Sequence, residues 1–444
     1  MGSIHTQALS LNNAQLFMKS VALADANTIF YVTLGREEPW SNENSPDVPQ
    51  TTVNQEFDVW NNMYGGKQVV LSDMSLVIPR IDWTANTVYT PYDQAANNLY
   101  DTANTKFYVL TTDFNVYKCL FNNGSANSTV MPNSTSNNNV QITTDGYMWK
   151  FMYQLSSNDQ QRFLTNNWIP VRTLGLDDGS LQWNVQQNAI DGGLNVIKVL
   201  NGGTGFTNVA NISAIITGDG AGATILVQVN TSNSIANSTI STPGALYTRA
   251  NVSLTDRSGV PGSGASFEVV VPPKGGHGAN PSKELGAAAV MIDMLIDGSE
   301  ANVISVANEY RQIAIIRDPF ISSTNTVSAN LVFSQTMDLT LAGSGVNYSL
   351  DEVVFQGSSL AGATFSADVL EWKPADNILR VTNISGVPDS SLLLGINSGA
   401  AYFVTNVKQP DLEPYTGDLL YLANIVAVQR NENQTDAFQI VVNF

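Results

Sequence analysis

Three stretches of this chain repeat one pattern, and that pattern narrows the fold before anything else does. Gly202-Gly203-Thr204-Gly205-Phe206-Thr207 leads into strand-like residues and then Gly220-Ala221-Gly222-Ala223-Thr224. Pro243-Gly244-Ala245-Leu246-Tyr247-Thr248 leads into a second run and Gly262-Ser263-Gly264-Ala265-Ser266. Gly343-Ser344-Gly345-Val346-Asn347-Tyr348-Ser349 leads into Val353-Val354-Phe355 and Ala361-Gly362-Ala363-Thr364. Each unit is a glycine turn, an aromatic with a hydroxyl residue, a strand, a second glycine turn and another strand. The glycines allow positive φ in the turns, and the aromatic is placed to plug the end of a two-strand layer. Such repeats build surfaces more often than active sites.

The rest of the chain has the same bias. Charged residues are 13% of the 444, about half the usual share, while apolar residues are 43%. Asn, Ser, Thr and Gly replace the missing charges, which favours strands and tight turns over long surface helices. Alternation is clear at Trp149, Phe151, Tyr153 and Leu155, at Ile313 and Ile315, and at Phe438, Ile440, Val442 and Phe444, the last placed in a buried position. The expected fold is therefore mainly β: an antiparallel β-sandwich core with a few short helices and inserted small β modules. A helix is expected over 11–25, with Ala14, Phe17, Met18, Val21 and Ala24 on one face. Thr52-Val53-Asn54-Gln55 and Ser157-Asn158-Asp159-Gln160 read as capping boxes. After the first, Phe57, Trp60 and Tyr64 share a helical face, and Gly65-Gly66 stops the helix.

Catalytic chemistry has little to work with. The net charge of −18 repels phosphate backbones, so no nucleic-acid partner is expected. No apolar run reaches the roughly 20 residues that span a bilayer, so no membrane insertion is expected. Cys119 reads as a buried structural thiol. Of two histidines, His5 is near the terminus and His277 sits in the loop Gly275-Gly276-His277-Gly278, read as a flexible joint. Neither supports a nucleophile–His arrangement, and one Cys with two His cannot form a usual zinc site. The acidic turns Asp177-Asp178 and Gly218-Asp219-Gly220 lack calcium-loop spacing. No cofactor, metal site, small-molecule substrate or catalytic residue is expected.

"NTIFYVTLGREEPW", residues 27–40, is the most informative segment. A strand-like run ends at Gly35, Pro39 fixes φ, and Trp40 is large enough to pin the corner into apolar surface. Arg36 can pair with Glu37, Glu38 or Asp82. Arg80-Ile81-Asp82-Trp83 has the look of a second corner. Each corner either faces a partner or packs against its own core.

These residues also carry a resemblance. Asn27-Thr28-Ile29-Phe30, Gly35-Arg36, Glu38-Pro39-Trp40-Ser41, Trp60, Met63, Val77-Ile78-Pro79-Arg80, Asp82-Trp83 and Pro91-Tyr92 are in the family's order. Val116-Tyr117-Lys118-Cys119-Leu120, Asp145-Gly146-Tyr147-Met148-Trp149, Arg311-Gln312-Ile313-Ala314-Ile315-Ile316 and Gly417-Asp418-Leu419-Leu420-Tyr421-Leu422 continue it. The chain resembles the baseplate wedge subunits, products of gene eight, of T-even-type contractile-tailed phages. The likeness covers roughly 1–190, 285–320 and 411–444. It implies a non-enzymatic structural subunit of the virion, homodimeric, touching neighbouring wedge proteins and sharing in baseplate assembly and the rearrangement at tail contraction. Arg36, Glu38, Pro39, Trp40, Trp60, Arg80, Asp82 and Trp83 are the structural or interface candidates.

The expected organisation is a wedge core in three pieces, 1–190, 281–340 and 411–444, interrupted by glycine-rich insertions at 191–280 and 341–410. A reading of another class is a glycan-binding adhesin or tail-fibre-like module, with Phe206, Tyr247 and Tyr348 exposed to stack on sugars.

Overall fold

A computed structural model describes residues 5–22, 28–206, 212–254, 262–298, 300 and 303–444. Ala24, Asn27 and Thr207, used above, lie outside them. Strands account for 42% of the chain and helices for 12%, so the fold is mainly β, built on multiple antiparallel sheets. The chain forms two compact units. The first holds 1–15, 75–291 and 441–444; the second holds 16–74 and 292–440.

In the first unit, the strands Tyr108–Leu110, Asn115–Asn122, Tyr147–Gln154 and Gln141–Ile142 lie side by side in that order. One face closes a dry aromatic core of Tyr89, Tyr117, Cys119, Tyr147, Trp149 and Phe151, each at most 1% exposed. Tyr147 and Trp149 stack with centroids 5.5 Å apart and an interplanar angle of 14°. Burial pushes the Cys119 thiol well up, as suits an inert packing residue.

The second unit is built on a sheet of order Val332–Ser334, Met63–Gln68, Phe30–Gly35, Glu309–Arg317, Asp418–Gln429. All six residues of Phe30–Gly35 are buried. Tyr31, Ala314, Ile316 and Phe333 form a core with Val59 and Trp60 from the helix Val53–Asn61. Thr52 caps that helix, its hydroxyl accepting from the Gln55 amide at 3.2 Å. Two expectations change here. The helix ends at Asn61, and Gly65-Gly66 belong to the strand Met63–Gln68, so Tyr64 is a strand residue. Phe57 lies outside the core and meets Tyr415 edge-to-face at 4.9 Å. Glycine is needed at 66 because a Cβ there would sit 2.6 Å from the Val32 carbonyl and 2.8 Å from the Phe333 ring.

Smaller corrections follow the same logic. The N-terminal helix runs Gln7–Ala22. The cap of the helix Ser157–Arg162 is Ser156, one residue earlier than the box suggested, with Asp159 N donating to it at 3.1 Å. Phe444 is 38% exposed, because the alternation of Phe438 and Ile440 stops before the last residues.

Both glycine-rich regions hold six strands. In the first unit these are Val196–Thr204, Ile212–Gly218, Ala221–Val229, Ile235–Ala245, Ala250–Ser253 and Ser263–Val270. In the second they are Met337–Ala342, Val353–Gln356, Phe365–Lys373, Ile378–Gly386, Leu392–Gly395 and Ala401–Lys408. Counting within each set, the first strand pairs with the sixth, the second with the third and fifth, and the third with the fourth, in both. In the second set, first–fourth and fifth–sixth ladders complete a closed barrel. The topology is therefore a three-strand unit used twice per module, each half lending strands to the other. Phe206 belongs to one half, yet it covers Gly262 of the other, where a Cβ would lie 2.6 Å from its Cγ. Tyr247 covers Gly220 in the same way, with a Cβ 2.5 Å from its Cγ. Tyr348 packs edge-to-face on Trp372 and at a tilt on Tyr402, and donates to the Leu393 carbonyl at 2.9 Å. These three rings are 5%, 4% and 5% exposed. They are core plugs, and the expectation that they present open faces to sugars is corrected.

Gly66→Ala is expected to destabilise the second unit by about 1–3 kcal/mol, the usual effect of overpacking. Gly175→Ala, where a Cβ would meet nothing within 4 Å, should stay within about 0.5 kcal/mol. Urea unfolding of the two variants checks both.

Candidate functional site

The Arg36–Trp40 corner starts where the strand Phe30–Gly35 ends. A Cβ on Gly35 would sit 2.5 Å from the Asn62 carbonyl, so the chain can pass there only as glycine. Arg36 then takes φ 64°, a conformation costing on the order of 1 kcal/mol in a residue with a Cβ. Its amide repays this by donating to Asn62 O at 2.8 Å. The turn lays the Arg36 guanidinium 4.0 Å from the Trp40 ring centroid. Glu38, whose side chain is 78% exposed, stands 3.8 Å from the same guanidinium and contributes little there. Pro39 is exposed at the bend. Trp40 is 7% exposed and its Nε1 donates to Ile425 O at 2.8 Å.

Beneath the corner lies an ion cluster that the sequence analysis did not assemble. Arg311, 3% exposed, donates from Nε to both Glu43 oxygens at 2.9 and 3.2 Å. Its Nη1 donates to the Glu37 carbonyl and its Nη2 to the Glu309 carboxylate. Glu43 Oε1 also accepts from Trp40 N at 2.8 Å, so one carboxylate joins the turn to the buried arginine. A carboxylate three residues beyond Trp40 is the spacing that caps a turn, and that was the available signal. Glu37 points inward, accepting from Thr382 Oγ1 at 2.7 Å. Burial raises its pKa, against the pull of that hydroxyl. Trp60 stands apart from this cluster, in the core of the same unit.

The other unit carries the second corner. Arg80 Nε donates to both Asp82 oxygens at 2.9 and 3.1 Å, and its Nη1 to Thr165 O at 2.9 Å. Asp82 is thus the partner of Arg80, while Arg36 takes Glu38 and Trp40. Trp83 is half-buried against the aromatic core, with its Nε1 donating to Ser128 Oγ at 3.2 Å. Asp82 keeps 52% of its side chain exposed.

His277 is the clearest miss. It is 5% exposed rather than at a flexible joint. Lys118, fully buried, donates to Glu284 Oε2 at 2.8 Å and sits 3.0 Å from His277 Nδ1 and 4.2 Å from the Tyr92 ring centroid. Glu284 Oε1 accepts from the Gly278 and Asn280 amides at 2.8 and 3.1 Å. The local glycines let the loop fold tightly over this cluster, which sequence periodicity cannot reveal. Burial, then the Lys118 charge, lowers the His277 pKa from 6.5 to about 4. Glu284 falls to about 2: burial opposes ionisation, but Lys118 and His277 overcome it. Among the described residues, no three His, Cys, Asp or Glu side chains group to hold a metal ion.

Trp40→Ala is expected to destabilise its unit by about 3–5 kcal/mol, against less than about 0.5 for Glu38→Ala, measured by urea unfolding. The His277 cluster sets an acid limit. As pH falls below 6.5 the unfolded chain takes up a proton that the folded imidazole refuses until about pH 4. Stability should therefore drop across that window by up to roughly 1.4 kcal/mol per pH unit. The Glu284 contribution, present above pH 4.5, is lost further down towards about 2. His277→Gln should flatten the dependence between pH 6.5 and 4.

Comparison with known proteins bears on the same residues. Positions 3–123, which contain both corners and Trp60, match the family described as Bacteriophage T4, Gp8. The chain is also 29% identical over 198 residues to baseplate wedge protein gp8 of Enterobacteria phage T4. That similarity takes in 37% of this chain and spans 59% of the relative's length. Over these parts the chain is similar to the Gp8 family of phage baseplate wedge proteins, and it spans about three-fifths of the length of that relative.

Proposed function

We propose that the chain is a structural subunit of a phage tail baseplate wedge, working by being gripped rather than by catalysis. The observation that carries this reading is the family match over 3–123, the segment holding all eight candidate residues. The relative's name, baseplate wedge protein, supports a place in the virion tail. On this reading the protein is assembled in the host cytoplasm, pairs with a second copy, bridges neighbouring wedge proteins and moves with them when the tail contracts. The wedge core comprises 1–190, 281–340 and 411–444, and the stretches 191–280 and 341–410 are additions to it. The acidic net charge of −18 suits protein neighbours better than nucleic acid.

The two corners divide the work by residue. Trp40 and Trp83 fix the shape from inside, with Trp60 in the core of the same unit as Trp40, and Arg36, Pro39 and Arg80 hold the bends. Glu38 and Asp82, the exposed carboxylates at 78% and 52%, face the partners. The glycan-binding reading loses its support with Phe206, Tyr247 and Tyr348 buried.

Exposed carboxylates at an interface rim act through charge, so reversing them should weaken association without unfolding the chain. Glu38→Lys with Asp82→Lys is expected to leave the chain folded, with a melting temperature lowered by no more than about 4 °C through loss of the Arg80–Asp82 pair. Sedimentation at micromolar concentration should show the native chain as a dimer and the double variant shifted towards monomer. A native chain that stays monomeric throughout would count against the dimer. A double variant that assembles as well as the native chain would count against the roles given to Glu38 and Asp82.

A further inference from the structure

The buried cluster in the first unit carries more positive than negative charge. Lys118 is matched by Glu284 at 2.8 Å. Lys150, on the strand Tyr147–Gln154, is 4% exposed and donates to the Asn137 carbonyl at 3.0 Å; among the described residues no carboxylate lies within ion-pair distance of it, and Glu284, already paired with Lys118, acts on it only from farther away. An ammonium withdrawn from water needs a counter-charge or a strongly polar cavity.

Such a cavity is present. It has a volume of about 40 Å³ and is lined by Lys150, His277, Asn138, Asn188 and Asn195, with Ile190 and Pro243 on its apolar side. Asn138 and Asn188 are exposed and form its mouth. The imidazole's proton can be assigned from its neighbours. Beside a charged Lys118 ammonium, which only donates, His277 Nδ1 at 3.0 Å is the acceptor, with Glu284 Oε2 farther off at 3.9 Å. The ring's proton is then on Nε2, which has no partner among the described residues. Lys150 and His277, the two nitrogen-bearing titratable side chains here, both line one small space, and no carboxylate lines it. About 10–15 Å³ is enough for one water, so this space can take a monatomic anion.

We infer that this cavity is a binding site for a small inorganic anion of halide size, held by Lys150 and His277. The site ties the strand Tyr147–Gln154 to the segment 188–195, which leads into the first strand of the glycine-rich module, and to Pro243 within that module. Its occupant would steady the base of the module.

Two measurements on the full chain test this. Crystals soaked in sodium bromide should give an anomalous peak within hydrogen-bond reach of Lys150 Nζ and His277 Nε2. The melting temperature should rise with sodium chloride or bromide relative to sodium gluconate at equal ionic strength, by on the order of 2–4 °C. Lys150→Met should remove that difference. If the variant does not fold, the bromide peak in the native chain still decides. Water alone in the cavity, or a bromide peak with no difference between halide and gluconate (an adventitious ion only), overturns the inference.

Discussion

The second unit depends on one dehydrated guanidinium. Arg311 is 3% exposed, and its donors are used by Glu43, Glu309 and the Glu37 carbonyl. Removing one partner from such a group leaves a buried charge uncompensated, which costs about 3–5 kcal/mol. That asymmetry links distant pieces of sequence. Arg311 lies in a central strand of the sheet, Glu43 lies beyond the corner, and Glu43 in turn fixes the Trp40 amide. Trp40 then reaches across to the Ile425 carbonyl. The exposed bend at Glu38 and Pro39 is rigid because what lies beneath it cannot rearrange cheaply.

The modules obtain rigidity by another route. They carry few ions at their centres and rely on rings laid against glycines. Phe206 over Gly262 and Tyr247 over Gly220 each join two halves, so neither half can close its own end. The barrel of the second unit adds a buried carboxylate. Glu352 accepts from the Ser349, Asn397 and Ser398 amides at 2.7–2.9 Å and from Ser398 Oγ at 2.6 Å. Burial raises its pKa, but those donors more than offset it, and the net shift is downward. Both devices favour one fixed geometry over flexibility, which fits a structural subunit.

Local chemistry in the sequence told most where the deciding contact is short-range. The strand Phe30–Gly35, the Thr52 cap and the burial of Trp40 follow from residues within a few positions of each other. The mainly β class follows from alternation and low charge. Long-range partners were hidden. Nothing near Glu43 announces Arg311, and nothing near His277 announces Lys118. Gly65-Gly66 looked like a helix stop because a glycine pair gives the same signal when it makes room for a ring, here that of Phe333. The second half of the 337–408 barrel was also overlooked. Its turn Ser398-Gly399-Ala400-Ala401-Tyr402 keeps the glycine–alanine–aromatic order, but with different spacing from the other units.

The central proposal is that this chain is a structural subunit of a tail baseplate wedge. Electron cryo-microscopy of the purified virion tests it most directly. The account requires density for the strands Phe30–Gly35 and Glu309–Arg317, with the Trp40 corner, inside the baseplate and flanked by other protein chains. Intact, contractile tail particles in which no copy of this chain can be traced would contradict it.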